Sequence, residues 1–183
     1  MAKARTFARQ FMKGHPMAGE PTYFVEKVLN ALDVDWESLE YLDLLHELNP
    51  GKEDIVYDFY FGLGGTGCPL DDKKLHTIRS GHHFITGDKI RLAVWSGKPY
   101  CSPQIRICPE LEVMTYDFQV KEFKNAFYTD IGTRYSIPDG FIENSMLETV
   151  AKNDGLSTKD FLSWFKYPSE FEGQVIAWVD PLY

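Results

Sequence analysis

The hydrophobic pattern of this chain changes from helical to strand-like near residue 55, and this change limits the fold class more than any other feature. Apolar residues in residues 22–48 recur at steps of three and four, as in amphipathic helices, and Asn49-Pro50-Gly51 predicts where the second helix ends. After residue 55 the apolar segments are short, aromatic and β-branched, with Gly or Pro between them, which predicts strands. The predicted strands are IVYDFYF, KIRLAVW, PQIRI, LEVMTYDFQV and NAFYT.

Two further helices and a closing strand are predicted after these segments. IENSMLETVAKNDG and LSTKDFLSWF have helical spacing, and Ser157 with Asp160 has the pattern of a capping box at the start of the second helix. The segment GQVIAWV predicts the closing strand. Together these elements predict an α+β protein with a helical N-terminal extension, residues 1–54, and a domain with a curled or closed sheet, residues 55–183.

The composition is that of a folded protein, because 44% of its 183 residues are hydrophobic and 15% are aromatic. The first fifteen residues are basic without a long apolar run, and no later stretch approaches the length of a membrane span. We therefore expect a cytoplasmic protein with no membrane partner. Cys68, Cys101 and Cys108 lack C-x-x-C spacing, so we expect reduced thiols, no metal and no cofactor; a metal site that also uses His82 and His83 is the alternative.

The charge of the chain is unevenly distributed. The net charge is −8, which disfavours the wrapping of long nucleic acid, yet residues 73–106 contain seven Lys or Arg and one acid, Asp88. A local basic region on an acidic protein predicts a site for a nucleotide, a nucleoside or a short single-stranded RNA. A solvated basic strand face is the alternative.

Gly62, Gly64 and Gly67 match the G-x-G-x-x-G pattern of dinucleotide-binding loops. That pattern requires a strand before the glycines and an amphipathic helix after them, so that the helix N-terminus meets the pyrophosphate. A predicted strand precedes Gly62, but the sequence after Gly67 has no helical apolar stripe. We therefore predict a flexible loop rather than a nicotinamide or flavin site.

Lys74, Thr77 and Arg79 form a second, cationic cluster with a hydroxyl group inside it. A threonine hydroxyl becomes a nucleophile when a neighbouring base removes its proton, and a lysine can be that base where nearby cations lower its pKa. A carboxylate from elsewhere would orient the lysine. On spacing alone, a solvated loop or strand edge is the alternative.

The segment KKLHTIRSGHHFITGDKIRLAVW, followed by WSGKPYCSPQ, resembles the opening motif of the activating-signal-cointegrator homology (ASCH) domain. The resemblance covers residues 55–180. It implies a PUA-like small β-barrel with helices inserted before the last strand, and binding of RNA or nucleotides. One bacterial branch of the family hydrolyses the acetyl amide of acetylcytidine with a lysine, a threonine and a glutamate, which match Lys74, Thr77 and Asp154 here. Asp154 is one methylene shorter than that glutamate.

Three functions follow from these observations. In a binding module, cations take phosphate while Trp95 or Tyr100 stacks on a base. In an amidohydrolase, Thr77 attacks an acetyl carbonyl while Lys74 carries the proton and Asp154 orients the lysine. In a non-catalytic interaction protein, the acidic helices of residues 33–58 engage a partner. The predicted pocket lies between segment 62–79 and the strand that ends at Trp95. Its predicted ligand-binding residues are Arg79, Trp95, Lys98, Tyr100 and Arg106, with Lys74 and Thr77.

Overall fold

The computed structural model describes residues 2–65, 67–123, 126–132, 144–164 and 170–181. The helices and strands in chain order are β1 (Lys3–Phe7), α1 (Phe24–Ala31), α2 (Leu39–Leu48), α3 (Glu53–Phe61), β2 (His76–Ser80), β3 (Lys89–Trp95), β4 (Gln104–Arg106), β5 (Leu111–Glu112), β6 (Met114–Phe123), β7 (Ala126–Gly132), α4 (Asn144–Asn153), α5 (Thr158–Trp164) and β8 (Glu170–Ala177). The chain forms two compact units, the first made of Met1–Lys73 and Lys89–Leu111 and the second of Lys74–Asp88 and Glu112–Tyr183.

The first unit combines the three helices α1 to α3 with a sheet. Strand β3 lies at the centre of this sheet, parallel to β1 and antiparallel to β4, and β5 also pairs with it. Helix α1 turns Val25, Val28 and Leu29 into the core, where each is at most 1% exposed. Burial of each such side chain stabilises the fold by about 1.5–3 kcal/mol, so this helix is held by packing rather than by its capping.

The segment IVYDFYF forms helix α3, so the predicted strand there is wrong. Its alternating appearance hides a helical spacing, because the buried residues Val56 and Phe59 are three positions apart. Glu53 and Asp54 lie in the first turn, where negative charge favours a helix N-terminus. The boundary predicted between residues 1–54 and residues 55–183 therefore falls inside α3.

The N-terminal segment contains a strand that the sequence did not reveal. Strand β1 pairs with β3 from Lys3 opposite Ile90 to Phe7 opposite Val94. Only Phe7 of the strand is buried, and the other residues are charged or small, so no period-two apolar pattern marks it. The predicted helical extension is therefore partly strand.

The second unit contains a fully antiparallel sheet of order β2-β8-β6-β7 and the helices α4 and α5. The ring of Phe118 on β6 meets Phe161 on α5 edge to face, with centroids 6.3 Å apart, and both side chains are fully buried. The predicted cap of α5 is confirmed, because the hydroxyl of Ser157 accepts a hydrogen bond from the Asp160 amide at 3.1 Å and donates one to its carboxylate at 2.6 Å.

The predicted α+β class is confirmed, as are both helices within residues 22–48 and the strands of the segments KIRLAVW, PQIRI and GQVIAWV. In the described part of the chain neither sheet closes on itself into a barrel. None of the helices described is long and apolar enough to cross a membrane.

Candidate functional site: a buried lysine–aspartate pair and an exposed aromatic turn

Lys74 and Asp154 meet in the interior of the second unit, although 80 positions separate them in sequence. The Lys74 ammonium nitrogen Nζ donates hydrogen bonds to the Asp154 carboxylate oxygen Oδ1 and to its main-chain oxygen, each at 2.6 Å. The side chain of Lys74 is 2% exposed and that of Asp154 is 11% exposed. A buried ammonium is stable only when it is paired and hydrogen-bonded, and Asp154 meets both needs.

Asp154 is positioned by the way helix α4 ends. The amides of Gly155 and Leu156 donate to the main-chain oxygens of Lys152 and Ala151, and Gly155 has a φ of +75°, which together make a Schellman motif. Asp154 is the C-cap residue of this motif. The Lys74 ammonium therefore satisfies a main-chain oxygen at the helix C-terminus, where positive charge is favoured.

His76 is a third titratable group beside this pair. Its Nδ1 atom lies 3.7 Å from Oδ1 of Asp154, and the side chain is fully buried. Burial and the nearby Lys74 ammonium lower the pKa of His76 well below its usual value, while the backbone of Val150 acts in the opposite direction. The imidazole is therefore neutral at pH 7. The sequence contained His76 within the cationic cluster, but nothing in the spacing marked it as a buried partner of Asp154.

Thr77 projects from β2 to the sheet face opposite that of His76, because successive side chains of a strand alternate. It lies opposite Ile176 of β8 and is 4% exposed. Among the described residues, no hydrogen bond joins its hydroxyl group to Lys74. The structure thus brings Lys74 and Asp154 together but does not join the threonine to them.

Arg79 lies two residues further along β2, on the same face as Thr77 and opposite Gln174 of β8. Gln174 holds the loop before β3, since its side-chain oxygen accepts from the amides of His83 and Phe84, both at 2.8 Å. The threonine–glycine–aspartate part of the motif makes the turn into β3, and the carboxylate of Asp88 caps it by accepting from the Ile85 amide at 3.2 Å. Residues 83–88 of the motif therefore have a structural role, whereas the predicted binding role of Arg79 stays a prediction.

Trp95 and Tyr100 belong to the first unit, in a turn that we call the Trp95–Ser102 turn. Their rings lie 5.3 Å apart, centroid to centroid, with a tilt of 50°. Tyr100 is 88% exposed and has a φ of +62°, a left-handed conformation that a residue with a side chain rarely adopts. The turn is tied by hydrogen bonds from the Cys101 and Ser102 amides to the Lys98 oxygen, at 3.1 and 3.0 Å.

The predicted cations Lys98 and Arg106 lie in this same unit. Lys98 is exposed at the tip of the turn. Arg106 of β4 is opposite Ala93 of β3, and Ala93 shares a sheet face with Trp95 two residues later, so Arg106 and Trp95 are on one face. The residues of the predicted pocket thus come from both units, and the pocket itself stays a prediction.

In the part of the chain that the structure describes, at least three of the seven cations in residues 73–106 are paired with acids from outside that segment. Lys74 contacts Asp154; the other pairs are Lys73 with Asp33 at 3.1 Å and Arg91 with Glu110 at 3.6 Å. The positive excess of the segment is therefore smaller at the protein surface than in the sequence.

The glycine-rich loop has a structural explanation. Helix α3 precedes Gly62, so the strand that a dinucleotide fingerprint needs is absent at this position. The Gly64 amide donates to the buried carboxylate of Glu26 at 3.1 Å, and Gly64 has a φ of +72°. A Cβ atom at Gly64 would lie 3.3 Å from the ring of Trp36. The glycine-rich loop therefore donates a hydrogen bond to the buried carboxylate of Glu26.

The three cysteines are free thiols, with Cys68 half-buried, Cys101 exposed and Cys108 buried. Within the ranges that the structure describes, no group of three His, Cys, Asp or Glu side chains is placed to hold a metal ion. In comparisons with known proteins, no family model, no curated protein and no solved structure matches the chain. The ASCH resemblance stays a prediction.

Proposed function

We propose that the protein binds a nucleotide or a short single-stranded RNA through the Trp95–Ser102 turn. The observation that carries this proposal is Tyr100, an aromatic side chain that is 88% exposed on a backbone in the left-handed conformation. That conformation costs about 1–2 kcal/mol for a residue with a Cβ atom. Backbone strain of this kind is concentrated at functional sites, which supports a binding role for the turn.

The turn supplies the two groups that single-stranded nucleic acid requires. The ring of Tyr100 offers a face to a base, and Trp95 lies behind it. Lys98 in the same turn and Arg106 on the face of Trp95 supply positive charge for phosphate. The turn is also held before any ligand arrives, because the Gly97 amide donates to the Ser102 hydroxyl at 2.9 Å. Preorganisation lowers the entropic cost of binding.

The full form of this proposal is a cytoplasmic ASCH-like protein with a PUA-like barrel. The resemblance of residues 55–180 supports it, and so does the antiparallel sheet of the second unit with its helices before the last strand. The Lys74–Asp154 pair then has a structural role, joining the start of β2 to the end of α4.

Titration of tryptophan fluorescence with oligouridine of about eight nucleotides tests the proposal. Tyr100→Ala should weaken binding by about tenfold or more, since a base stacked on an aromatic ring contributes about 1–3 kcal/mol. Lys98→Gln should weaken binding and reduce the salt dependence by about one phosphate contact. Phe61→Ala is the matched control, because Phe61 is a 76% exposed aromatic residue elsewhere in the first unit. Equal affinity of Tyr100→Ala and wild type would reject the proposal.

A second candidate function, amide hydrolysis of an acetylated cytidine, is favoured by the 2.6 Å contact between Lys74 and Asp154. In this mechanism Thr77 attacks the acetyl carbonyl while a neutral Lys74 accepts the hydroxyl proton and passes it to the leaving amine. Water then hydrolyses the acetyl-threonine ester, which releases acetate and restores the hydroxyl group. Lys74 is buried, and Thr77 projects to the sheet face opposite that of His76. Both observations favour the binding function over this reaction.

Chromatographic conversion of acetylcytidine to cytidine tests the second candidate. Thr77→Ser should keep part of the rate, whereas Thr77→Val should abolish turnover and leave binding nearly intact. Lys74→Arg should also lose turnover, since a guanidinium does not act as a base. Absence of conversion by wild-type protein that binds the nucleoside would exclude hydrolysis; equal rates for wild type and Thr77→Val would exclude the threonine as nucleophile.

A further inference from the structure

Helices α2 and α3 carry exposed apolar side chains that the fold does not bury. Leu39 is 71% exposed at the start of α2, while Tyr57 and Phe61 are 45% and 76% exposed on α3. Tyr57 and Phe61 are four residues apart, and their rings stack with a centroid distance of 6.4 Å and an interplanar angle of 10°. Helical neighbours at this spacing form one continuous strip.

The start of α2 adjoins the end of α3, so Leu39 lies near the Phe61 end of this strip. The Tyr60 hydroxyl donates to the main-chain oxygens of Glu37 and Ser38, at 2.8 and 3.0 Å. The ring of Tyr60 meets that of Phe61 edge to face at 5.3 Å. We call the surface formed by Leu39, Tyr57 and Phe61 the aromatic strip.

The segment that carries the aromatic strip is acidic. Residues 33–58 contain nine acids, one lysine and one histidine; all nine acids are exposed, and one of them, Asp33, pairs with Lys73. The lysine, Lys52, donates from Nζ to the main-chain oxygen of Gln104 at 2.7 Å, so its ammonium is already engaged within the first unit. The acids are Asp33, Asp35, Glu37, Glu40, Asp43, Glu47, Glu53, Asp54 and Asp58.

We propose that the aromatic strip is a docking surface for a basic amphipathic helix of another protein. An apolar stripe with i, i+3 and i+4 spacing would cover Leu39, Tyr57 and Phe61, and flanking Lys or Arg would face the acids. Charge complementarity selects this occupant. A second copy of the chain would bring two acidic surfaces together, and a nucleic acid would bring phosphate to carboxylates.

A synthetic helical peptide of about 18 residues, with Leu and Trp along one face and Lys elsewhere, is a suitable probe for the full chain. Isothermal titration calorimetry at about 0.05 M salt should give saturable one-to-one binding that weakens at about 0.5 M. Phe61→Ala should lower the affinity by about tenfold, as expected for an exposed aromatic anchor. Ile85→Ala is the control, because Ile85 is a 72% exposed apolar residue in the other unit, and it should not change the affinity.

A peptide of the same composition with its apolar residues dispersed around the helix separates docking from general charge attraction. It should bind at least about tenfold more weakly than the amphipathic peptide. Equal binding of the two peptides, or equal loss in Phe61→Ala and Ile85→Ala, would overturn the proposal. Sedimentation showing a wild-type dimer that Phe61→Ala dissociates would also overturn it, because the occupant would then be a second copy. Circular dichroism confirms that each variant is folded before it is scored.

Discussion

Replacement of Asp154 by Asn should lower the free energy of unfolding by about 3–5 kcal/mol, the cost of leaving a buried charge without its partner. The substitution keeps the shape of the side chain and removes only the negative charge. The Lys74 ammonium, on a side chain that is 2% exposed, would then retain the main-chain oxygen of residue 154 as an acceptor but lose the negative charge of the Asp154 carboxylate. The loss therefore reports charge compensation rather than a deleted contact.

A double-mutant cycle measures the interaction free energy between Lys74 and Asp154, with urea unfolding of each variant followed by circular dichroism. Lys74→Met removes the ammonium, so the variant with both Lys74→Met and Asp154→Asn has no unpaired buried charge. We expect the double variant to be more stable than Asp154→Asn alone, because the amide is neutral and the methionine is apolar.

Lys73→Met is the matched control for the neighbouring position. Lys73 pairs with Asp33 at 3.1 Å, but these side chains are 51% and 87% exposed, and such a pair contributes at most about 1 kcal/mol. The Lys74–Asp154 pair does not stabilise the fold if Asp154→Asn lowers the free energy of unfolding no more than Lys73→Met does. The same conclusion follows if the loss in the double variant equals the sum of the losses in Lys74→Met and Asp154→Asn.

Three further outcomes are expected. The lowered pKa of His76 means that the unfolded chain binds a proton the folded chain does not, so the free energy of unfolding should fall below about pH 6.5 by up to about 1.4 kcal/mol per pH unit. Urea unfolding across pH should show His76→Gln reducing this slope, and an unchanged slope would contradict the assignment. Gly173→Ala should prevent folding at 37 °C, because its Cβ would collide with the main-chain oxygen of Arg79, and soluble, cooperative unfolding of that variant would be contrary to the β2–β8 pairing. Native thiol labelling at pH 8 should modify the exposed Cys101 rapidly and spare Cys108, since burial raises the pKa of Cys108 to about 12; equal labelling rates would refute its burial.

The sequence correctly predicted those elements for which the apolar spacing and the capping or turn residues at the ends indicate the same structure. Ser157 and Asp160 predicted the start of α5 because a hydroxyl group three residues before a carboxylate satisfies the first free amides. The strand predicted for segment 55–61 was wrong because a short aromatic run fits both helix and strand spacing. The segment follows the Gly51 turn and has acids in its first turn, and both features favour a helix. Strand β1 was not predicted because the residues that pair with it lie more than 80 positions away in sequence.

The candidate site was predictable in part. The resemblance paired Lys74 with Asp154, and the structure places them in contact. The orientation of Thr77 depends on where β2 begins, which a one-residue shift would reverse, so spacing alone could not decide whether its hydroxyl faces the lysine. His76 could be recognised as buried only from the contact between residues 153–154, at the end of α4, and residues 74–76, at the start of β2. The pairing of Lys73 and Arg91 with distant acids was equally invisible to a charge count along the sequence.

Photochemical crosslinking of a bromouridine-substituted oligonucleotide, with mass spectrometry of the tryptic digest, tests the binding proposal most directly. Trypsin should release residues 92–106 as one peptide, because Lys98 precedes a proline. The crosslink should fall on this peptide at Trp95 or Tyr100, and excess unlabelled oligouridine should suppress it. A competable crosslink confined to other peptides, such as the one that contains Tyr57 and Phe61, would show that the Trp95–Ser102 turn is not the binding site.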